Sequence, residues 1–108
     1  MPKREPGTRW RYIAFKIDGQ RTFRRDEFLD SLVDHSRGTR LFGSFRITVF
    51  GGNFGILKVP HFLKDEAIGI LTELKSIGKE RCSVATLRSS GTIKTLKTKY
   101  RVYIVDED

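Results

Sequence analysis

Two periodicities alternate along this chain. Over 9–18 the spacing is that of a strand: Arg11, Ile13, Phe15 and Ile17 fall on one side, and Trp10, Tyr12, Ala14 and Lys16 on the other. Gly19-Gln20 breaks the run. Phe28, Leu29, Leu32 and Val33 then recur at helical spacing, with Asp26 and Glu27 placed to complement the helix dipole, which predicts a helix over 24–36 that stops near Gly38. Alternation returns over 44–50, with Phe45, Ile47 and Val49 opposed by Ser44, Arg46, Thr48 and Phe50. Gly51-Gly52-Asn53 is a hairpin turn, and 54–59 is the return strand, with Gly55, Leu57 and Val59 as its inward set. Pro60 ends that strand. A helix over 63–76 follows, with Ala67, Ile68, Ile70, Leu71 and Leu74 as its apolar stripe and Gly78 closing it.

A fourth strand is predicted over 79–87, then a loop at Ser89-Ser90-Gly91, then a short helix over 92–100 with Ile93, Leu96 and Tyr100 on one side. The run from Arg101 to Val105 has strand propensity and reads as a fifth strand or an ordered tail. The order strand, helix, strand, strand, helix, strand is the split βαβ arrangement. The expected fold is therefore α+β, a ferredoxin-like or RNA-recognition-like sandwich: an antiparallel four-stranded sheet, two helices on one face and a C-terminal helical extension. The other sheet face is left to solvent or a ligand, and Tyr12, Lys16, Arg46, Phe50 and Lys58 are expected on it.

Length and charge narrow the functions open to such a fold. The 108 residues form one domain, 1–108, with no room for a separate catalytic module. The net charge of +8 favours a polyanionic partner, and the basic groups concentrate near the two ends of the domain. Residues 79–101 carry seven basic groups and one acid, while the final Asp106-Glu107-Asp108 is acidic. The first residues are charged and lack the apolar core of a signal peptide, and the apolar runs are too short to span a membrane, so a cytoplasmic protein that does not bind membranes is expected.

The candidate chemistry is that of binding. Ser90-Gly91-Thr92 opens a helix, where free backbone N–H groups and the positive end of the dipole favour an anion. Lys94, Lys97 and Arg101 recur at about one-turn spacing behind it, so this is read as a phosphate site with a basic flank; the plain alternative is an ordinary capped helix. Lys16, Arg46 and Lys58 on the sheet face, together with Arg11, are the second set of RNA candidates. Catalytic signals are weak. His35 and His61 lie in different elements, with no ligand partner at a metal spacing, and Cys82, the single cysteine, reads as an inert thiol in a strand. Asp26, Glu27, Asp30 and Asp34 read as a solvated helix face, and the glycines of 51–55 join two strands where a nucleotide loop would precede a helix. No catalytic residue and no metal ligand is assigned.

Three segments resemble a known family: Arg11-Tyr12-Ile13-Ala14-Phe15, Phe54-Gly55-Ile56-Leu57-Lys58-Val59 and, most specifically, Ser90-Gly91-Thr92-Ile93-Lys94-Thr95-Leu96-Lys97. In matching order over nearly the whole chain they are similar to the archaeal ribonuclease P protein component two family, whose eukaryotic relatives occur in ribonuclease P and the mitochondrial-RNA-processing ribonuclease. The resemblance implies a non-catalytic subunit of the ribonuclease P ribonucleoprotein, supporting transfer-RNA 5′ leader removal. In that family the endonuclease chemistry belongs to the RNA with its bound magnesium, and no cofactor is expected in the protein. The implied partners are the catalytic RNA of ribonuclease P and a TIM-barrel-like protein subunit, with a homodimer or heterotetramer both compatible. The loops here are short for the family, which puts in doubt contacts that longer relatives make through them.

Two other readings use the same fold. A generic RNA-recognition-type domain binding single-stranded RNA would want two or three adjacent aromatics on the central strands, where the candidates are Tyr12 and Phe50. An acyl-phosphate hydrolase would need a phosphate loop after the first strand, of which Asp18-Gly19-Gln20-Arg21 is a poor version. Phe50, Phe54, Phe62 and the run Val102-Tyr103-Ile104-Val105 are the candidates for an apolar protein-pairing face.

Overall fold

A computed structural model describes residues 9–104. The chain runs β1 (Trp10–Gly19), α1 (Arg25–Ser36), β2 (Arg46–Gly51), β3 (Phe54–Pro60), a 3-10 turn (His61–Leu63), α2 (Lys64–Glu73), β4 (Ser76–Ile77), β5 (Glu80–Ser90), α3 (Ile93–Lys99) and a second 3-10 turn (Arg101–Tyr103). The strands form one antiparallel sheet in the order β2-β3-β1-β5-β4. This is the expected α+β sandwich with one more strand than predicted. The extra strand is not the C-terminal run. It is Ser76–Ile77, at the point where the helix predicted over 63–76 ends: α2 stops at Glu73, Leu74 turns to an extended conformation, and Ile77 pairs with Glu80 and buries its side chain. The C-terminal run coils into the second 3-10 turn instead, and its last residue, Val105, lies outside the described residues.

Alternation along β1 sorts the core. Ile13, Phe15 and Ile17 join Leu57, Val59, Ile47 and Val84 beneath Phe28, Leu32, Ala67 and Leu71 of the two helices. At its centre the Phe15 and Phe28 rings stack with centroids 4.9 Å apart, which favours the pair beyond the area it buries. Gly55 crosses beside them; a Cβ there would run into the Phe15 ring, so this inward position has to be glycine. The hairpin tip is Gly52-Asn53, both with positive φ (61° and 63°), the geometry of a tight hairpin turn. The Asn53 side chain then reaches across: its Oδ1 accepts from Phe23 N–H at 2.8 Å and its Nδ2 donates to Arg21 O at 2.9 Å. One turn residue thus fastens the segment that leads into α1.

Two bulges change the faces. In β2 the register against β3 slips between Ile47 and Val49, leaving Thr48 as the extra residue, its hydroxyl donating to Ile56 O. Beyond the bulge the faces are exchanged. Phe50 packs on Phe28 at 5.4 Å on the helix side, and Val49 turns to the opposite face. The expectation that Phe50 lies on the open face is therefore wrong, because clean alternation in sequence carried no sign of the inserted residue. A second slip, between Ala14 and Phe15 against β5, sets Leu87 out of register.

The face opposite α1 and α2 is not fully open either. Leu96 of α3 is buried against Ala14, Phe54 and Ile56, with Ile93, Tyr100 and Ile104 packed around it. The Tyr103 ring stacks on Phe54 at 5.5 Å and lies under the Lys16 ammonium at 5.1 Å. Phe54, a candidate for an apolar pairing face, is thus buried, whereas Phe62 is 63% exposed and Val102 88% exposed.

Candidate nucleic-acid interface

What α3 leaves uncovered is one end of the sheet. Strand pairing sets Arg46 opposite Lys58, Lys58 opposite Tyr12 and Tyr12 opposite Ser90, a row of four side chains on the α3 side of the sheet. Two residues along β1, on the same side, stands Trp10, paired with Pro60 and beyond the last rung to β5. Trp10 is 41% exposed, and the Lys58 ammonium sits 4.5 Å from its ring centroid.

The indole separates two hollows. One is lined by Phe45, Arg46, Lys58 and the Gly43-Ser44 turn, the other by Arg9, Arg11, Tyr12, His61, Gly91 and Thr92. Among the described residues, neither is lined by a carboxylate. None of Arg9, Arg11, Arg46 or Lys58 enters an ion pair among the described residues, whereas Arg21, Arg24, Arg37 and Arg40 each hold an acid. The Arg21 guanidinium holds the Glu27 carboxyl down at about 2, with help from the Arg24 backbone N–H. The acidic groups Asp30 and Asp34 line a hollow of the helix layer, against Leu74 and Ser76. Among the described residues, cations are therefore gathered around an exposed indole at the sheet end.

The predicted phosphate site is reshaped. Ser89 and Ser90 extend β5 rather than forming a loop, and α3 is only seven residues long. The Thr92 N–H already donates to Ser90 Oγ at 3.2 Å, and the Thr92 and Thr95 hydroxyls pair at 2.8 Å. Gly91 lies within reach of the Arg11 guanidinium, so Ser90, Gly91 and Thr92 join Arg11 and Tyr12 at the sheet end. Lys94, Lys97 and Arg101 are exposed, but Lys97 lines a different hollow with Arg24, Arg25 and Thr48. Lys16 is exposed, but its ammonium lies over the Tyr103 ring, away from Arg46 and Lys58. The candidates thus divide between the sheet end and the flank of α3. Sequence reasoning left out Trp10, Arg9 and His61. The signal for Trp10 was present, since it shares a strand side with Tyr12. For Arg9 and His61 there was none, because their proximity rests on the His61 N–H donating to Arg9 O at 3.0 Å where β3 leaves the sheet.

Elsewhere the chemistry is quiet. Cys82 is half-buried and burial pushes its thiol up, as an unreactive cysteine requires. His35 lies 3.9 Å from Glu73. Among the described residues no three His, Cys, Asp or Glu side chains gather as a metal group, and no helix is long and apolar enough to cross a membrane.

Comparison with known proteins bears on this arrangement. The model of the Rpp14/Pop5 family matches residues 11–101. The chain belongs to the Rpp14/Pop5 family. Members with which it aligns include ribonuclease P protein component 2 of Thermococcus gammatolerans, 34% identical over 109 residues that cover 92% of this chain and 91% of the relative. The same component of Archaeoglobus fulgidus is 33% identical over 99 residues, covering 86% and 89%. A chain in the cryo-EM structure of yeast ribonuclease MRP superposes with a TM-score of 0.67 at 13% identity, over 92% of this chain and 96% of that one, which shows a shared fold. The family match takes in all of the sheet except Trp10, and the whole of α3, so the helix laid across the sheet face is part of the family domain.

Proposed function

We propose that this Rpp14/Pop5 family member is a protein component of ribonuclease P, and that it holds RNA through the basic end of its sheet and the flank of α3. The reading joins the family, whose archaeal members are named as ribonuclease P protein components, to one observation: Arg9, Arg11, Arg46 and Lys58 line the two hollows beside the exposed Trp10, with no acid of the described residues among them. Cations left unpaired at a surface are available to displace the counterions of a phosphate backbone, which is where most sequence-independent RNA affinity originates.

In this role the protein supplies no reacting group. It neutralises and positions backbone phosphates, while cleavage of the transfer-RNA 5′ leader is the work of the catalytic RNA and the magnesium it carries. A TIM-barrel-like subunit is the proposed protein partner, and the exposed Phe62 and Val102 are apolar surface available to such a partner. A free-standing single-stranded-RNA domain of the RNA-recognition type is the weaker reading, because α3 and Tyr103 occupy the centre of the sheet face where such domains stack bases.

The test is the salt dependence of RNA affinity. A protein neutralising about five phosphates shows a log–log slope of roughly −4. The pair Arg46→Gln with Lys58→Gln, and separately Lys94→Ala with Lys97→Ala, should each flatten the slope by roughly 2. A wild-type slope near zero contradicts the reading. Flattening by only one pair assigns the RNA to that surface alone.

A further inference from the structure

We infer that Trp10 is a stacking platform for an unpaired RNA nucleotide, with Arg46 and Lys58 on one side of the base and Arg9 and Arg11 on the other to hold the flanking phosphates. The proposal deepens the RNA-binding reading and rests on it. A duplex backbone needs only cations, and an exposed tryptophan adds nothing to such a contact. An indole left 41% exposed, standing proud between two cationic hollows, is instead the surface on which the π-face of a splayed base lies.

The strand geometry explains why this platform stays open. α3 and Tyr103 cover the sheet face from Ala14 to Phe54, but β5 pairs with β1 no further than Tyr12, and Trp10 beyond that last rung stays 41% exposed. Lys58, two rungs in on β3, holds its ammonium over one face of the ring, 4.5 Å from the centroid, where it anchors the indole; the base therefore stacks on the opposite face, with the Lys58 charge close enough for a neighbouring phosphate. Arg46 extends that charge along the same row. The hollow on the other side offers Arg11, the Tyr12 side chain and the Gly91-Thr92 turn. A chain of nucleotides crossing the indole would therefore find a cation before and after it, with no carboxylate of the described residues lining either hollow. Such a contact reads that a base is unpaired more than which base it is.

Trp10 is the single tryptophan of the chain, so its emission reports on this site alone. The full-length protein is titrated with an unpaired oligoadenylate and with a blunt RNA duplex of equal phosphate number, following both indole fluorescence and the anisotropy of labelled RNA. The oligoadenylate should quench the emission, saturating at the concentrations at which anisotropy saturates, while the duplex binds with little quenching. Trp10→Ala should weaken oligoadenylate binding about tenfold, and Trp10→Phe should restore most of it. Duplex affinity should stay within about twofold in both variants, since phosphate contacts act through charge. Oligoadenylate that binds without quenching, and equally well to Trp10→Ala, overturns the stacking site while the RNA-binding reading stands. Failure of the wild-type protein to bind either RNA overturns both, and would point to a protein as the occupant of this surface.

Discussion

Single residues carry more of this fold than their chemistry suggests. Asn53 adopts a positive φ at the hairpin tip and uses both ends of its side-chain amide to hold the segment before α1. Its two roles can be separated. Asn53→Gly keeps the backbone conformation but removes both side-chain hydrogen bonds, and should lower unfolding free energy by about 1–2 kcal/mol. Asn53→Ala should cost about 1 kcal/mol more, because alanine tolerates the left-handed region poorly. Urea unfolding of the two variants checks the order; equal stability with the parent would mean the amide is idle. The turn was legible in Gly51-Gly52-Asn53, but the bonds to Arg21 and Phe23 were not, since nothing in local spacing brings residue 53 to residue 23.

At the scale of elements, the strands and helices of the split βαβ core were readable because their apolar positions keep one period for long enough. Phe15 and Phe28 sat where alternation and helical spacing put them, and so did the inward set Gly55, Leu57 and Val59. The pattern failed where one residue is inserted. The bulge at Thr48 carried Phe50 to the helix side, and β4 was missed because the predicted helix ran on to Ser76 with Gly78 as its stop, leaving no room for a strand at Ser76–Ile77. The position of α3 was out of reach for another reason: Ile93, Leu96 and Tyr100 announce an apolar side, but not the surface it covers. The structure sets that side on Ala14, Phe54 and Ile56. Leu96 is fully buried there, so Leu96→Ala should destabilise the domain by about 2–4 kcal/mol. Thermal unfolding measures this, and a cost below about 1 kcal/mol would mean that α3 lies on the surface as a loose appendage.

For the whole molecule, the net charge of +8 pointed to a polyanion from composition alone, but not to a place. Folding makes the place. It brings Arg9 from just before β1, Arg11 from β1, Arg46 from β2 and Lys58 from β3 to one end of the sheet, pairs other arginines with acids, and keeps Asp30 and Asp34 in the helix layer. The basic flank of α3, read from the sequence as one site, is divided: Lys97 faces Arg24 and Arg25, while Gly91 and Thr92 join Arg11. An RNA held at both proposed places would be braced over a broad part of the domain. The account then predicts a subunit that changes what its RNA can do. The direct measurement is a magnesium titration of precursor-transfer-RNA cleavage by the catalytic RNA, with the TIM-barrel-like subunit present, with and without this chain. The chain should lower the magnesium needed for half-maximal cleavage, and the variant carrying Arg46→Gln and Lys58→Gln should lose most of that shift. Identical magnesium curves with and without the chain, or cleavage by the repurified protein free of RNA, would contradict the account.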